Sequence, residues 1–174
     1  MQAAMLSILL PVFNEEDNLE PLLAEIRQAA PRFGRPWEVV LVDDASTDGS
    51  LAVIKRLAQA QPELRWLAFA ENRGQSAAFC AGFDAARGEI FVTLDADGQN
   101  DPADIPALLA LFDQGADMVI GWRVKRRDSF MKRIGSKIGN AVRNRLTRET
   151  VRDTGCSLKV MRADMARRLP RFKG

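Results

Sequence analysis

Glu89-Ile90-Phe91-Val92-Thr93-Leu94-Asp95-Ala96-Asp97-Gly98-Gln99-Asn100-Asp101-Pro102 is the stretch on which the fold turns. Its first six residues are an apolar, β-prone run that reads as a buried strand. The run stops abruptly at two carboxylates one residue apart. Buried strands of α/β proteins place ligands just beyond their carboxyl ends. Two oxygen donors there suit a hard divalent cation, Mg²⁺ or Mn²⁺, and a cation in turn suits a phosphate-bearing ligand.

Outward from this strand, apolar runs alternate with amphipathic ones. Strands are expected over 5–13, 37–42, 64–70, 89–94 and 117–121, and helices over 15–30, 49–60, 75–87 and 102–114. The Asp101-Pro102 pair marks the start of the last of these helices. Residues 128–146 read as helical and basic, 154–161 as a further strand and 163–169 as a short helix. Such alternation predicts an α/β fold, a mostly parallel sheet flanked by helices on both sides. No repeat, linker or low-complexity segment interrupts residues 1–174, which read as a single domain truncated at its carboxyl terminus.

In this frame the paired carboxylates follow the fourth strand. An aspartyl phosphatase would place its Asp-x-Asp after the first. A calcium loop needs Gly at its sixth position and Glu at its twelfth, where this chain has Asn100 and Pro106. An acidic turn is the plain alternative.

The composition, 47% hydrophobic and 28% charged, is that of an ordinary globular protein, and no stretch approaches the roughly 20 apolar residues of a membrane span. Met5 to Leu10 reads as a first strand rather than a signal peptide. Cys80 and Cys156 have no metal or redox spacing, so both read as core residues of a reduced, cytosolic chain. The chain has no His, which excludes Ser-His-Asp and Cys-His machinery and histidine metal sites. Chemistry is left to carboxylates, metals, Lys and Arg.

The net charge of +2 hides an asymmetry. Residues 1–122 carry 8 Lys and Arg against 19 Asp and Glu, a net of −11, whereas residues 123–174 carry 17 against 4, a net of +13. An acidic body with a basic tail predicts an anionic partner for the tail: lipid phosphate, a membrane surface or nucleic acid.

Two more strand ends are polar. The first strand closes in Pro11-Val12-Phe13-Asn14-Glu15-Glu16, a natural nucleotide site before a helix N-terminus; alternatively Asn14 caps that helix. The second closes in Val42-Asp43-Asp44-Ala45-Ser46-Thr47-Asp48-Gly49, whose carboxylates suit ribose hydroxyls or base N–H groups, while Ser46 or Asp48 suits a cap. Neither a Gly-x-Gly-x-x-Gly after the first strand nor a Walker motif occurs. The basic segment, Gly121 to Ser129 and then Phe130 to Lys137, places Arg, Lys and a Ser hydroxyl on successive turns, a plausible phosphate clamp, where a solvated helix face is the usual reading of a charge run.

These motifs in this order resemble the inverting glycosyltransferases of family two, and most nearly their polyprenyl-phosphate branch. That branch includes dolichol-phosphate mannose synthase and the bacterial undecaprenyl-phosphate sugar transferases. The resemblance rests on Pro11 to Glu16, Val42-Asp43-Asp44, Asn72-Arg73-Gly74-Gln75, Leu94 to Pro102 and Asp153-Thr154-Gly155-Cys156. Arg127-Asp128-Ser129 through Ser136-Lys137 is similar to the undecaprenyl-phosphate aminoarabinose group. The motifs are specific for the family and not for the sugar, and they carry no sign of oligomeric state.

The resemblance implies a GT-A nucleotide-diphospho-sugar fold over 1–174, with the family's membrane part absent. It implies Asp95, Asp97 and Gln99 as ligands of Mg²⁺ or Mn²⁺. Pro11, Phe13, Asn14, Glu15, Asp43, Asp44, Asn72, Gly74, Gln75, Asp95, Ala96 and Asp97 would line the nucleotide pocket. Arg123, Arg127, Lys132 or Arg133, and Ser136 would grip the acceptor phosphate. Asp153 would serve as a base or orient a basic residue, or else cap a turn. The implied reaction moves a sugar, with inversion, from a nucleoside-diphosphate sugar (UDP ahead of GDP) to a polyprenyl phosphate. It would run at the cytoplasmic side of the inner membrane, with the basic tail on anionic lipid. The competing readings are a non-catalytic nucleotide-sugar-binding or membrane-docking fragment and a polysaccharide synthase, whose usual Gln-x-x-Arg-Trp is absent. Nucleic acid is not an expected partner, since the tail has neither a recognised motif nor interleaved aromatics.

Overall fold

The computed structural model describes residues 4–122 and 155–169. The described elements run in chain order β1 (Leu6–Val12), α1 (Glu16–Ala29), β2 (Trp37–Asp43), α2 (Ser50–Ala60), β3 (Leu64–Ala68), α3 (Gln75–Ala85), β4 (Ile90–Thr93), α4 (Ile105–Phe112), β5 (Met118–Ile120), β6 (Lys159–Arg162) and α5 (Ala163–Arg167).

β1 is central because nothing on it needs water: six of its seven residues are buried. It pairs in parallel with β2 from Leu6–Trp37 to Val12–Asp43, and with β4 from Leu6–Ile90 to Leu9–Thr93. The sheet order is β3-β2-β1-β4-β6-β5. β6 runs antiparallel between β4 and β5, so the sheet is mostly parallel, as the alternation predicted.

Side chains of alternate strand residues build two cores. Leu6, Ile8, Leu10 and Val12 face Leu19, Leu22, Leu23 and Ile26 of α1, Ile54 and Leu57 of α2, and Ile105, Leu108 and Leu109 of α4. The α1 residues recur at the spacing of one helical face. On the opposite side, Leu9, Val40, Val42 and Phe91 pack on Ala78 and Phe83 of α3 and on Ala163 and Ala166 of α5.

Two elements differ from the sequence expectation. The helix expected over 102–114 is split into a 3-10 turn, Pro102–Asp104, and α4. Pro106 has no N–H to donate to the carbonyl of residue 102, so that carbonyl takes the Ile105 N–H instead. The strand expected over 154–161 begins only at Lys159. Ser157, just before it, is engaged sideways: its carbonyl accepts from the Thr93 hydroxyl at 2.6 Å and its hydroxyl from the Asn100 amide at 2.7 Å. The helix expected over 128–146 lies outside the described residues.

The amino-terminal end of the sheet carries a buried polar knot. Glu38, 3% exposed, accepts from the Ser7 hydroxyl and the Arg87 N–H, both at 2.7 Å, and from Arg65 at 3.4 Å. The Ser7 hydroxyl in turn accepts from the Gly88 N–H at 2.9 Å. A Cβ on Gly88 would stand 2.6 Å from Ser7 Oγ and 2.7 Å from the Met5 carbonyl, so glycine is required for this approach of the chain to β1. Removing the acceptor strands buried donors, which costs about 1–3 kcal/mol per unsatisfied group. Glu38→Ala is therefore expected to lower the unfolding free energy by about 2–4 kcal/mol in urea titration. Ligand binding per folded molecule at the other end of the sheet should be unchanged.

Candidate functional site

The carboxyl ends of β1, β2 and β4 converge on a pocket of about 170 Å³ lined by Pro11, Val12, Phe13, Glu15, Asp44, Gln75, Asp95, Ala96 and Asp97. Asn14, Asp43, Asn72 and Gly74 are the expected nucleotide-site residues that do not line it, and each is used for support instead.

Asn14 sits at φ 57°, in the left-handed region that asparagine tolerates better than most residues. It does not cap α1. Its side-chain oxygen accepts the Thr47 N–H at 2.8 Å, and its own N–H donates to the Ser46 hydroxyl at 3.0 Å. Asp48 completes the link. One carboxylate oxygen accepts the N–H of Glu16, first residue of α1, at 3.2 Å, and the other accepts the N–H of Ser50, first residue of α2, at 2.9 Å. Glu16 returns the contact by accepting the Gly49 N–H at 2.9 Å, and the Ser50 hydroxyl accepts the Glu15 N–H at 2.8 Å. Helix starts leave N–H groups without helical partners. Here two starts satisfy one another across the β1 and β2 loops. Burial pushes the Asp48 carboxyl up, but hydrogen bonds from Ser50 and Glu16 outweigh it and hold it below its ordinary value.

Asp43 and Asp44 do different work. Asp44 lines the pocket while its two oxygens take the N–H groups of Arg73 at 2.7 Å and Gly74 at 2.9 Å. Its carbonyl accepts from the Asn72 amide at 3.2 Å. Asn72 and Gly74 thus reach the site through Asp44, and Gly74, at φ 82°, supplies a backbone turn other residues resist. Asp43, 1% exposed, points away from the pocket: one oxygen accepts the Ser46 N–H at 3.3 Å and the other is buried without a hydrogen bond.

At the end of β4, Asp95 accepts from the Gln75 amide at 2.6 Å, so α3 sets the orientation of the first carboxylate of the pair. Asp97 accepts the Gln99 N–H at 3.0 Å, closing a tight turn through Gly98 at φ 70°. Gln99 is not among the residues that line this pocket. It lines a neighbouring cavity of about 340 Å³ with Asn100, Asp101, Leu108, Trp122 and Cys156.

Among the described residues the pocket presents four carboxylates, Glu15, Asp44, Asp95 and Asp97, and no Lys or Arg in its lining. Among the described residues no three Asp, Glu or Cys side chains cluster into an all-protein metal cage. Two adjacent carboxylates in an open pocket are the donor set of Mg²⁺ or Mn²⁺, which take one or two carboxylates and complete their shell with water and substrate phosphate. The residues present fit such a cation. Arg123, Arg127, Lys132, Arg133, Ser136 and Asp153 lie outside the described residues.

Comparison with known proteins bears on the family and the fold. Residues 7–169 match the profile described as Glycosyl transferase family 2. The chain is 37% identical over 172 residues to a dodecaprenyl-phosphate galacturonate synthase of Rhizobium johnstonii, covering 97% of this chain and 51% of the relative. It is 40% identical over 161 residues to an undecaprenyl-phosphate 4-deoxy-4-formamido-L-arabinose transferase of Edwardsiella ictaluri, covering 91% and 49%. The chain thus spans about half the length of these curated relatives. Among solved structures, a mannosyltransferase from Pyrobaculum calidifontis in complex with GDP-mannose and Mn²⁺ superposes with a TM-score of 0.69 at 26% identity, covering 99% of this chain and 48% of that one. Glucosyl-3-phosphoglycerate synthase from Mycobacterium tuberculosis, with Mn²⁺ and UDP-glucose, gives a TM-score of 0.71 at 20% identity, covering 94% and 57%. The shared fold is GT-A.

The interlocked helix starts carry their own test. A carboxyl held low contributes stability that is present above its ordinary value, near 3.8, and lost as pH falls through the lower native value. Asp48→Asn, which keeps one acceptor oxygen and loses the other together with the charge, should be less stable than the parent chain at pH 7. The gap to the parent chain should narrow as pH falls below the ordinary carboxyl value in urea titrations.

Proposed function

The chain belongs to glycosyl transferase family 2, and we propose that its pocket takes a nucleoside-diphosphate sugar, UDP-linked, for transfer to a polyprenyl phosphate with inversion. The observation that carries this reading is the charge of the pocket. Four carboxylates, with no Lys or Arg beside them among the described lining residues, repel a diphosphate unless a divalent cation accompanies it. Asp95 and Asp97 would hold that cation, with Gln99 a candidate for an added ligand from the adjoining wall. When bound, the cation neutralises charge growing on the departing nucleoside diphosphate. The Pyrobaculum neighbour, with its GDP-mannose and Mn²⁺, supports a divalent ion and a nucleotide sugar in this fold.

The remaining steps belong to the chain's own residues. Phe13, 46% exposed at the pocket rim, offers a ring face to the base. Asp44 offers lone pairs to base or ribose donors while its position is fixed by the loop after β3. Gln75 fixes Asp95. The acceptor's phosphate oxygen attacks the anomeric carbon as the bond from that carbon to the diphosphate oxygen breaks, and the electron pair leaves with the diphosphate. A phosphate monoester has a second pKa of about 6 and arrives largely ionised, so it needs positioning more than a general base. A chain without His is suited to that chemistry. Arg123, Arg127, Lys132 or Arg133, and Ser136 would position the acceptor phosphate, with Asp153 orienting one of the basic groups or serving as base.

The acceptor class follows from the two curated relatives, both named for polyprenyl-phosphate products or acceptors. The basic residues beyond 122 would bring the domain to the anionic cytoplasmic face of the inner membrane, at about 1 kcal/mol per Lys or Arg near the surface. Among the described residues no helix is long and apolar enough to cross a membrane.

Calorimetric titration of UDP and GDP, with and without Mn²⁺, tests the donor. Binding that requires Mn²⁺ and favours UDP is the expected result. Asp97→Ala should weaken Mn²⁺-dependent binding by at least about tenfold, and transfer to undecaprenyl phosphate by about 10²–10³-fold in the full-length protein. Unchanged nucleotide affinity in Asp97→Ala would remove the pair from the site.

A further inference from the structure

The loop bearing Asp95 and Asp97 is held at both ends by side chains. Gln75 fixes the near end. The far end is fixed by Asn100, three residues after Asp97 and only 6% exposed. Its amide donates to Ser157 Oγ at 2.7 Å, and its carbonyl oxygen accepts from the Cys156 thiol at 3.4 Å. The Thr93 hydroxyl, at the end of β4, donates to the Ser157 carbonyl at 2.6 Å. Asn100 is thus tied to a segment 56 and 57 residues away in sequence, and that segment is tied back to the strand from which the loop departs.

This arrangement has the form of a seat rather than of general packing. Cys156 and Ser157 are 1% and 9% exposed, so these polar groups have exchanged water for one another. Between Asp97 and Asn100 the loop turns on the Gln99 N–H to Asp97 hydrogen bond and on the left-handed Gly98. Such a loop keeps its shape only if its ends are fixed. We propose that Asn100 is a positioning residue: seated on Ser157 and Cys156, it sets where Asp97 stands for a cation. This rests on the metal-nucleotide reading above. Cys156 and Ser157 follow Asp153 by three and four residues in sequence.

The test uses the chain itself with Mn²⁺ and UDP as probes. Mn²⁺ binding is followed by electron paramagnetic resonance, UDP affinity by calorimetry, and amide exchange at Gln99 in metal-free protein. Asn100→Ala is expected to weaken Mn²⁺ and Mn²⁺-dependent UDP binding by about tenfold, the usual scale for groups that orient metal ligands. Exchange at Gln99 should rise several-fold. Cys156→Ala should give a smaller loss, about two- to threefold, and Cys156→Ser, which restores a donor, should return to within about twofold of the parent. Variants that melt lower yet bind Mn²⁺ and exchange at Gln99 as the parent does would overturn the proposal and leave Asn100 a stability residue. A parent chain that binds neither Mn²⁺ nor Mn²⁺–UDP would overturn the metal-nucleotide reading itself and this inference with it. In that case the exchange measurement still shows whether Asn100 orders the loop.

Discussion

β1 is hydrogen-bonded on both edges and covered on both faces, and this constraint organises the molecule. A strand so placed has no room for an unpaired charge, because an isolated buried carboxylate is too costly to keep. The polar residue it does bury, Ser7, is bonded to Glu38 and Gly88. Charged chemistry can start only where the strand leaves the sheet. Since β1, β2 and β4 run parallel, they leave it at the same edge. Glu15, Asp44, Asp95 and Asp97 come together there because the sheet's interior excludes them.

Loops gathered at one edge still need shape, and here each is held by its neighbour. Asn14 and Ala45 both sit at φ 57°, a conformation that costs an L-residue roughly 1–2 kcal/mol. The hydrogen bonds among Asn14, Ser46, Thr47, Asp48 and Glu16 hold the β1 and β2 loops in those conformations. Asp44 does the same for the loop after β3, and Gln75 for the first residue of the β4 loop. Most of the polar residues at this edge therefore serve the backbone, and a smaller number face the pocket. A rigid rim of this kind suits a site whose task is to place reactants rather than to supply a strong base.

That division explains what could be read from the amino-acid sequence. The alternation of strand and helix was legible because the β1 and β2 runs are apolar at most buried positions, Ser7 and Glu38 being the exceptions within them, and the acidic strand ends were legible because the runs stop so sharply at Asp43 and Asp95. The uses of the polar residues were not. Asn14 carries the local signature of a cap, but its partners lie 32 to 34 residues away, on the next loop, and Asp48, which does take the Ser50 N–H at the start of α2, also takes that of Glu16, 32 residues back. No local pattern distinguishes Asp44, which lines the pocket, from Asp43, which turns away from it; Asp44 is held by the N–H groups of Arg73 and Gly74, about 30 residues on. The seat of Asn100 was equally hidden, since its partners stand more than 50 residues on. Pro106 was visible in sequence, yet its effect on the carbonyl of residue 102 follows only once a helix is laid through both.

Charge then separates the two halves of the proposed reaction. The donor diphosphate would meet a pocket whose described lining holds no Lys or Arg, so its neutralisation would fall to a cation that arrives with it. The acceptor phosphate would find no such partner at Asp95 and Asp97, since the cation they would hold is taken up by the diphosphate. Its counter-charge must come from protein, and residues 123–174 hold 17 of the chain's 25 Lys and Arg. The same residues that would order the phosphate head would also draw the domain to anionic lipid, where that head is found. The acidic body and the basic tail are on this reading complementary parts of one site. The body would repel the lipid surface except where the tail meets it, and so would orient the pocket toward its acceptor.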